Sequence, residues 1–247
     1  MNFKRILFIS KMSTIVTAFI SGINKGRSVD KYITLGKKML SMNTPCVCFI
    51  EKHIYDSYIQ PTLYPQTHFV MFEKLDNYLY NYIDKVTDFK VEDHHCLEYM
   101  FLQCHKTEFV RQAISLDPFK TSNYVWVDFG IGHMMSDDEL TTGITHISKR
   151  MYNDLRIGNA DNIPLDKTFN VDLYRQVVFY FLGSIFGGHK SSLIEFADRM
   201  KKKCIDIIET KHHLMWEVNV WYLLYKDNPD IFNPYKANHD YRILHNY

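Results

Sequence analysis

The chain has 247 residues, a length for one large domain or one domain with an appendage at about 150 residues per domain. Its 29 Lys plus Arg against 28 Asp plus Glu leave a formal charge of +1, which gives no field for holding a polyanion and argues against a general nucleic-acid coat. With 46% hydrophobic and 23% charged residues it buries a sizeable core, which excludes disorder as the main state. Five cysteines, an odd number without regular spacing, suggest no disulfide framework and a reducing setting.

Lys4-Arg5 precedes the apolar run Ile6–Ile9, but Lys11 breaks it. Met12–Ile23 and Gln176–Gly188 are shorter than the roughly 20 apolar residues that a membrane span needs. A soluble, cytoplasmic protein without signal peptide or transmembrane helix is expected. In chain order, Ser13–Ile20 reads as a strand, and Ser28–Met42 as a helix with Ser28 as N-cap and Tyr32, Leu35, Met39 and Leu40 on one side. Pro45–Ile50 and Thr67–Phe72 read as strands. Leu97, Met100, Phe101 and Cys104 start a helical stripe that Phe109, Val110, Ala113 and Ile114 continue up to Asp117-Pro118.

Asn123–Phe129 is the most strand-like run, ended by Gly130 and Gly132, and Ser136–Glu139 is a capping box opening the next helix. Residues 176–187 read as a strand. Ser192–Glu195 reads as a second capping box, opening a helix to about Glu209, and another helix runs from about His213 to Lys226. Alternating strands and helices argue an α/β fold with a mainly parallel central sheet flanked by helices. Ligands of such sheets sit at the carboxyl ends of strands, which singles out Thr17, Glu51 and Asp128. Asp128, between Val-Trp-Val and a glycine, should point out of the sheet toward a cation or donor, since an unpaired buried charge costs several kcal/mol. A turn or helix-cap aspartate is the alternative reading.

Tyr124–Gly130, preceded by Lys106–Ile114 and Asp117–Phe119, resembles the core signature of the HtrL/YibB-like family, read as glycosyltransferases. Thr14–Phe19 followed by Arg27 and Tyr32 is similar to that family's opening strand, and Phe186–Gly188 before a long helix to its second half. The resemblance implies a glycosyltransferase-A fold, Rossmann-like, as one domain over 1–247. About 13–130 would bind the nucleotide-sugar donor, expected to be a UDP-sugar, and about 131–247 the glycan or other hydroxyl acceptor.

In that fold an Asp-x-Asp motif holds Mn²⁺ or Mg²⁺ against the donor diphosphate. Asp128 matches the metal aspartate, while Gly130 replaces the second Asp; His239 is the expected further ligand, with His133 as the alternative or as a sugar contact. Thr17 and Ala18 would lie beside base and ribose, Trp126 beside the nucleotide, Arg27 and Lys106 at the diphosphate, and Glu51 at a ribose hydroxyl. The second half is also similar to retaining galactosyl- and N-acetylgalactosaminyltransferases of the blood-group type. This implies a Gly187-Gly188 turn facing the acceptor and Glu217 as nucleophile or as stabiliser of an oxocarbenium-like transition state, although Trp216 stands where those enzymes carry an Asp.

Three functions stay open: a metal-assisted and retaining glycosyltransferase, a module of the same fold that binds nucleotide or glycan without turnover, and a nucleotidyltransferase. The last lacks a Gly-rich basic phosphate loop near the first strand. Zinc at His94, His95, Cys96, Cys104 and His105 is set aside, since Cys96 and Cys104 stand about 80° apart on one helix. The kinase-like Asp128-Phe129-Gly130 is set aside for want of the other kinase motifs.

Overall fold

Strand β1 (Thr14–Phe19) reads as an unbroken β-branched run because it is paired on both edges and almost wholly buried. In the computed structural model, which describes residues 12–23, 26–88 and 96–247, it lies inside a seven-stranded sheet. β2 (Cys46–Ile50) and β4 (Asn123–Val127) flank it in parallel, and β3 (Thr67–Met71) joins β2, also in parallel. With β5 (Leu155–Ala160), β6 (Phe181–His189) and β7 (Phe232–Ala237), the order is β3-β2-β1-β4-β6-β5-β7. Only β6 runs against its neighbours. The expected mixed α/β sheet, mainly parallel and flanked by helices, is therefore observed. The run Lys4–Lys11 and the pair His94 and His95 lie outside the described residues. Among the described residues no helix is long and apolar enough to cross a membrane.

The chain moves outward from β1 to β2 and β3, then returns past β1 to β4. The carboxyl ends of β1 and β4 thus form a topological switch point, where open α/β sheets hold ligands. Strand parity distributes the core. Val16, Tyr124 and Trp126 face one layer, whose helices are α3 (Leu97–Cys104), α4 (Lys106–Leu116), α6 (Lys190–Lys211) and α7 (Glu217–Asp227). Ile15, Phe19, Val125 and Val127 face the other, built on α1 (Val29–Leu40), α5 (Asp137–Ser148) and α8 (Arg242–His245). Asp128 follows the parity of Trp126 and so faces α4.

Several expected boundaries shift for local reasons. The buried face of α1 is Ile33, Gly36, Met39 and Leu40 rather than the Tyr32–Leu35 side, because the Phe129 ring seats on Gly36. Ser28 does cap it, accepting from the Lys31 N–H at 3.3 Å. Ser136 and Glu139 form the reciprocal capping box. Ser192–Glu195 does not: α6 starts at Lys190 with His189 as N-cap, and the Ser192 hydroxyl donates to the Asn153 carbonyl instead. The last long helix begins at Glu217, four residues later than His213. The short helix α2 (Lys52–Tyr58), β5 and β7 were not anticipated. β5 carries Arg156, Gly158 and Asn159, a poor strand composition, and β7 tolerates Pro234 because it is an edge strand.

The single stripe from Leu97 to Ile114 is two helices, parted at His105. Its imidazole is buried among Phe72, Tyr78 and Phe109. Burial first, and the Lys201 charge second, push its pKa down from 6.5 to about 3. A histidine depressed in the folded state contributes fully above the unfolded pKa and loses that contribution as the unfolded chain takes up the proton. The melting temperature should therefore fall as pH drops from 6.5 toward 3, with a shallower slope in His105→Leu. Parallel melting curves for the two proteins over that window would refute this origin of acid sensitivity.

Candidate active site

Parity places the Trp126 and Asp128 side chains on one face, and the indole Nε1 donates to Asp128 Oδ1 at 2.8 Å. The break at His105 makes Lys106 the first residue of α4 and turns its side chain onto the same spot. The Lys106 ammonium lies 3.0 Å from Asp128 Oδ1, 3.1 Å from Glu217 Oε1 and 3.0 Å from the Gly183 carbonyl, and 5.9 Å from the Trp126 ring centre. Three acceptors match its three protons, and its side chain is only 4% exposed. Burial on its own would lower the Lys106 pKa; Asp128 and then Glu217 outweigh it and hold the ammonium above the ordinary lysine range. Lys106 thus ties two carboxylates together and has no proton left for a diphosphate.

Glu217 opens α7, where a carboxylate also meets the positive end of the helix dipole. It is buried, and its Oε2 has no hydrogen-bond partner among the described residues. Gly183 is required beneath it, because a Cβ there would collide with the Glu217 carboxylate. Asp128, 34% exposed, is the member of the trio open to solvent, and its main-chain N–H extends the β4–β6 pairing by donating to Ser184 at 3.0 Å.

Above the trio lies a cavity of about 270 Å³ at the switch point. Ala18, Phe19, Arg27 and Tyr32 form the wall on the β1 side, and Tyr99, Leu102 and Gln103 come from α3. Lys106, Trp126 and Asp128 form the floor, and Ser184, His133 and His239 complete the lining. Arg27 donates to the Tyr32 hydroxyl at 3.3 Å, which holds its guanidinium at the cavity. His133 Nδ1 lies 2.7 Å from the Gly130 carbonyl; a carbonyl only accepts, so Nδ1 donates there and Nε2 is the nitrogen left to other partners. Burial, then the neighbouring His133, lower the pKa of His239 and favour its neutral form.

Other residues singled out in the sequence sit elsewhere. Thr17 lies one residue deeper in β1 than Ala18, is fully buried and does not line the cavity. Glu51 does not line the cavity; it accepts from the Ser21 N–H at 2.6 Å. Gly187 and Gly188 are not a turn. They lie within β6 opposite Val125 and Tyr124, toward the start of β4 and away from Asp128, where the Tyr247 hydroxyl packs on Gly187. The β6 glycine that meets the buried charges is Gly183, and because β6 runs in reverse, its first residues rather than its last reach the switch point.

Gly130 explains the missing second aspartate, since a Cβ there would stand 2.8 Å from the Tyr32 ring. Among the described residues no three His, Cys, Asp or Glu side chains converge to hold a metal by themselves. Asp128 and a neutral His239 on one cavity nevertheless fit a divalent cation that takes its remaining ligands from a diphosphate and water.

Removing the ammonium alone strands two carboxylates, at a cost of about 3–5 kcal/mol for a broken buried pair. Lys106→Met should lower stability strongly, and adding Glu217→Gln should restore much of it, as a double-mutant cycle in urea would measure. Additive losses would show that the two residues are not coupled.

Similar solved structures include a 4-diphosphocytidyl-2C-methyl-D-erythritol synthase from Anaerococcus prevotii, at 13% identity and TM-score 0.43 over 97% of this chain and 92% of that one. Mouse xyloside xylosyltransferase 1, apo form, is similar at 7% identity and TM-score 0.48 over 90% and 84% of the two chains. A glycosyltransferase involved in the glycosylation of the major capsid of PBCV-1 is similar at 11% identity and TM-score 0.45 over 90% and 80%. No curated protein matches the chain. The model of a family described as "Bacterial protein of unknown function (HtrL_YibB)" matches residues 73–242, a span that contains Lys106, Asp128, Gly183 and Glu217, and the chain belongs to that family.

Proposed function

We propose that this protein is a glycosyltransferase that moves a sugar from a nucleotide-sugar, a UDP-sugar in our reading, to a hydroxyl of a glycan. The observation that carries the proposal is the cavity at the β1–β4 switch point, with Arg27 on one wall and Asp128 in the floor. Arg27 suits the diphosphate as a forked donor. Ala18 and Phe19 offer the apolar wall for the nucleoside end. Asp128 and His239 are the residues that would hold Mn²⁺ or Mg²⁺ together with the donor. When bound, such an ion supplies positive charge against the leaving diphosphate.

For Glu217, burial favours the stabilising role over the nucleophilic one. Its carboxylate lies beneath the cavity, against Lys106 and the Gly183 backbone, and does not line the cavity. From there it offsets the Lys106 charge and leaves the floor net negative beneath a sugar carbon that gains positive character. A retaining transfer then needs no glycosyl–enzyme bond. The acceptor oxygen bonds to the anomeric carbon on the face that the diphosphate leaves, and the departing phosphate oxygen takes the hydroxyl proton.

A panel of nucleotide sugars with Mn²⁺, read for released nucleoside diphosphate, tests the activity. Free UDP is expected; nucleotide binding without release would support the non-catalytic module, and pyrophosphate release a nucleotidyltransferase. Mn²⁺ should bind weakly to the protein alone and tightly once UDP is present, raising the melting temperature by mass action. Asp128→Asn should abolish most of that joint shift, and equal shifts in both proteins would remove Asp128 from the metal. Glu217→Ala with added azide should yield no glycosyl azide, whereas its formation would restore Glu217 as the nucleophile.

A further inference from the structure

Phe179 combines two features that stability does not explain. Its φ is +44°, in the left-handed region that an aromatic residue rarely adopts, and the residue is 44% exposed. The chain on either side is pinned so that neither feature can relax. On one side, Asn219 of α7 receives the Val178 N–H at 3.1 Å, while its own amide donates to Leu173 and Gln176 carbonyls, both at 2.8 Å. On the other, the Tyr180 ring is buried with its hydroxyl on the Leu165 carbonyl, and the Tyr180 carbonyl accepts from Ala160 N–H at 3.2 Å and Asn159 Nδ2 at 2.8 Å. With Val178 and Tyr180 fixed, the Phe179 side chain is thrown outward. It lands edge-on against His239, ring centres 5.4 Å apart and planes at 90°, and His239 lines the cavity.

A glycine or asparagine would accept this backbone at lower cost, and a polar side chain would suit the exposure better. An outlier of this kind beside a cavity points to function. We infer that Phe179 and His239 form a platform for the apolar face of a pyranose ring, and that the ring belongs to the acceptor. The inference rests on the glycosyltransferase reading for the identity of that sugar. The exposed Phe179 face takes ring C–H groups, while His239 braces that ring at its edge and keeps its nitrogen for the cation. The acceptor is favoured over the donor because Phe179 is exposed and stands outside the cavity lining that holds Arg27 and Asp128.

The test uses methyl glycosides of common hexoses and pentoses as probes, with UDP present, read by saturation transfer from protein to ring protons. Wild-type protein should show transfer to at least one glycoside. Phe179→Gly should reduce it at least about fivefold, and Phe179→Trp should keep it. The Phe179→Gly melting temperature should stay level or rise, since the strained φ is relieved. A fall of several degrees would make the ring structural and overturn the platform. Wild-type signal in Phe179→Gly, or no signal from any glycoside in the wild type, would also overturn it. Loss of saturation onto the sugar of a bound UDP-sugar, with glycoside contact intact, would reassign the ring to the donor and overturn the acceptor assignment. Release of UDP from the donor by wild-type protein judges the transferase reading separately from all of these.

Discussion

One buried ammonium organises the centre of this protein. Lys106 meets the end of β4 through Asp128, the start of β6 through Gly183, and the start of α7 through Glu217. Its position at the break between α3 and α4 adds those helices to the same point. A charge removed from water must be repaid by well-placed partners, and here each proton has one. The arrangement is therefore sensitive to the geometry of several elements at once, and it sets the distance between the two halves of the sheet beneath the cavity.

Packing around this point restricts which residues can stand there. The Tyr32 ring crowds any side chain at position 130, so Asp128 is the carboxylate that the floor presents to solvent and no second one stands two residues on. Glu217 likewise leaves no room at position 183. The aromatic Trp126 serves three neighbours: its indole N–H orients Asp128, its ring faces the Lys106 ammonium, and it stacks on Phe109 of α4. Orientation of the Asp128 carboxylate is thus set by a residue of its own strand and by core packing.

Much of the first half was legible in the sequence, because β1, β2 and β4 are buried on both faces and show it as continuous β-branched or apolar runs. Asp128 was legible for the same reason: a charge directly after Val-Trp-Val has nowhere else to go. The second half was not. Arg156, Asn159, Pro234 and Lys236 sit in β5 and β7 because of partners far along the chain, such as the Asn233 amide on Arg156 and Asn159 on Lys236. Thr17 and Ala18 are neighbours in sequence, and only how far along β1 the cavity reaches separates a lining residue from a core one. The Lys106–Glu217 pair joins residues 111 positions apart, and local pattern carries no signal for it. Phe179 was invisible for a different reason, since its peculiarity is a backbone angle imposed by Asn219 and Tyr180.

The reversed direction of β6 has an architectural effect. Because β5 and β6 pair antiparallel, the connection 161–180 leaves and rejoins the same end of the sheet. It is tied down at Leu165 by Tyr180, and at Leu173, Gln176 and Val178 by Asn219. The buried charges around Lys106 sit on strands and helices instead, so the aromatic contact that Phe179 makes with His239 can change by substitution without touching them.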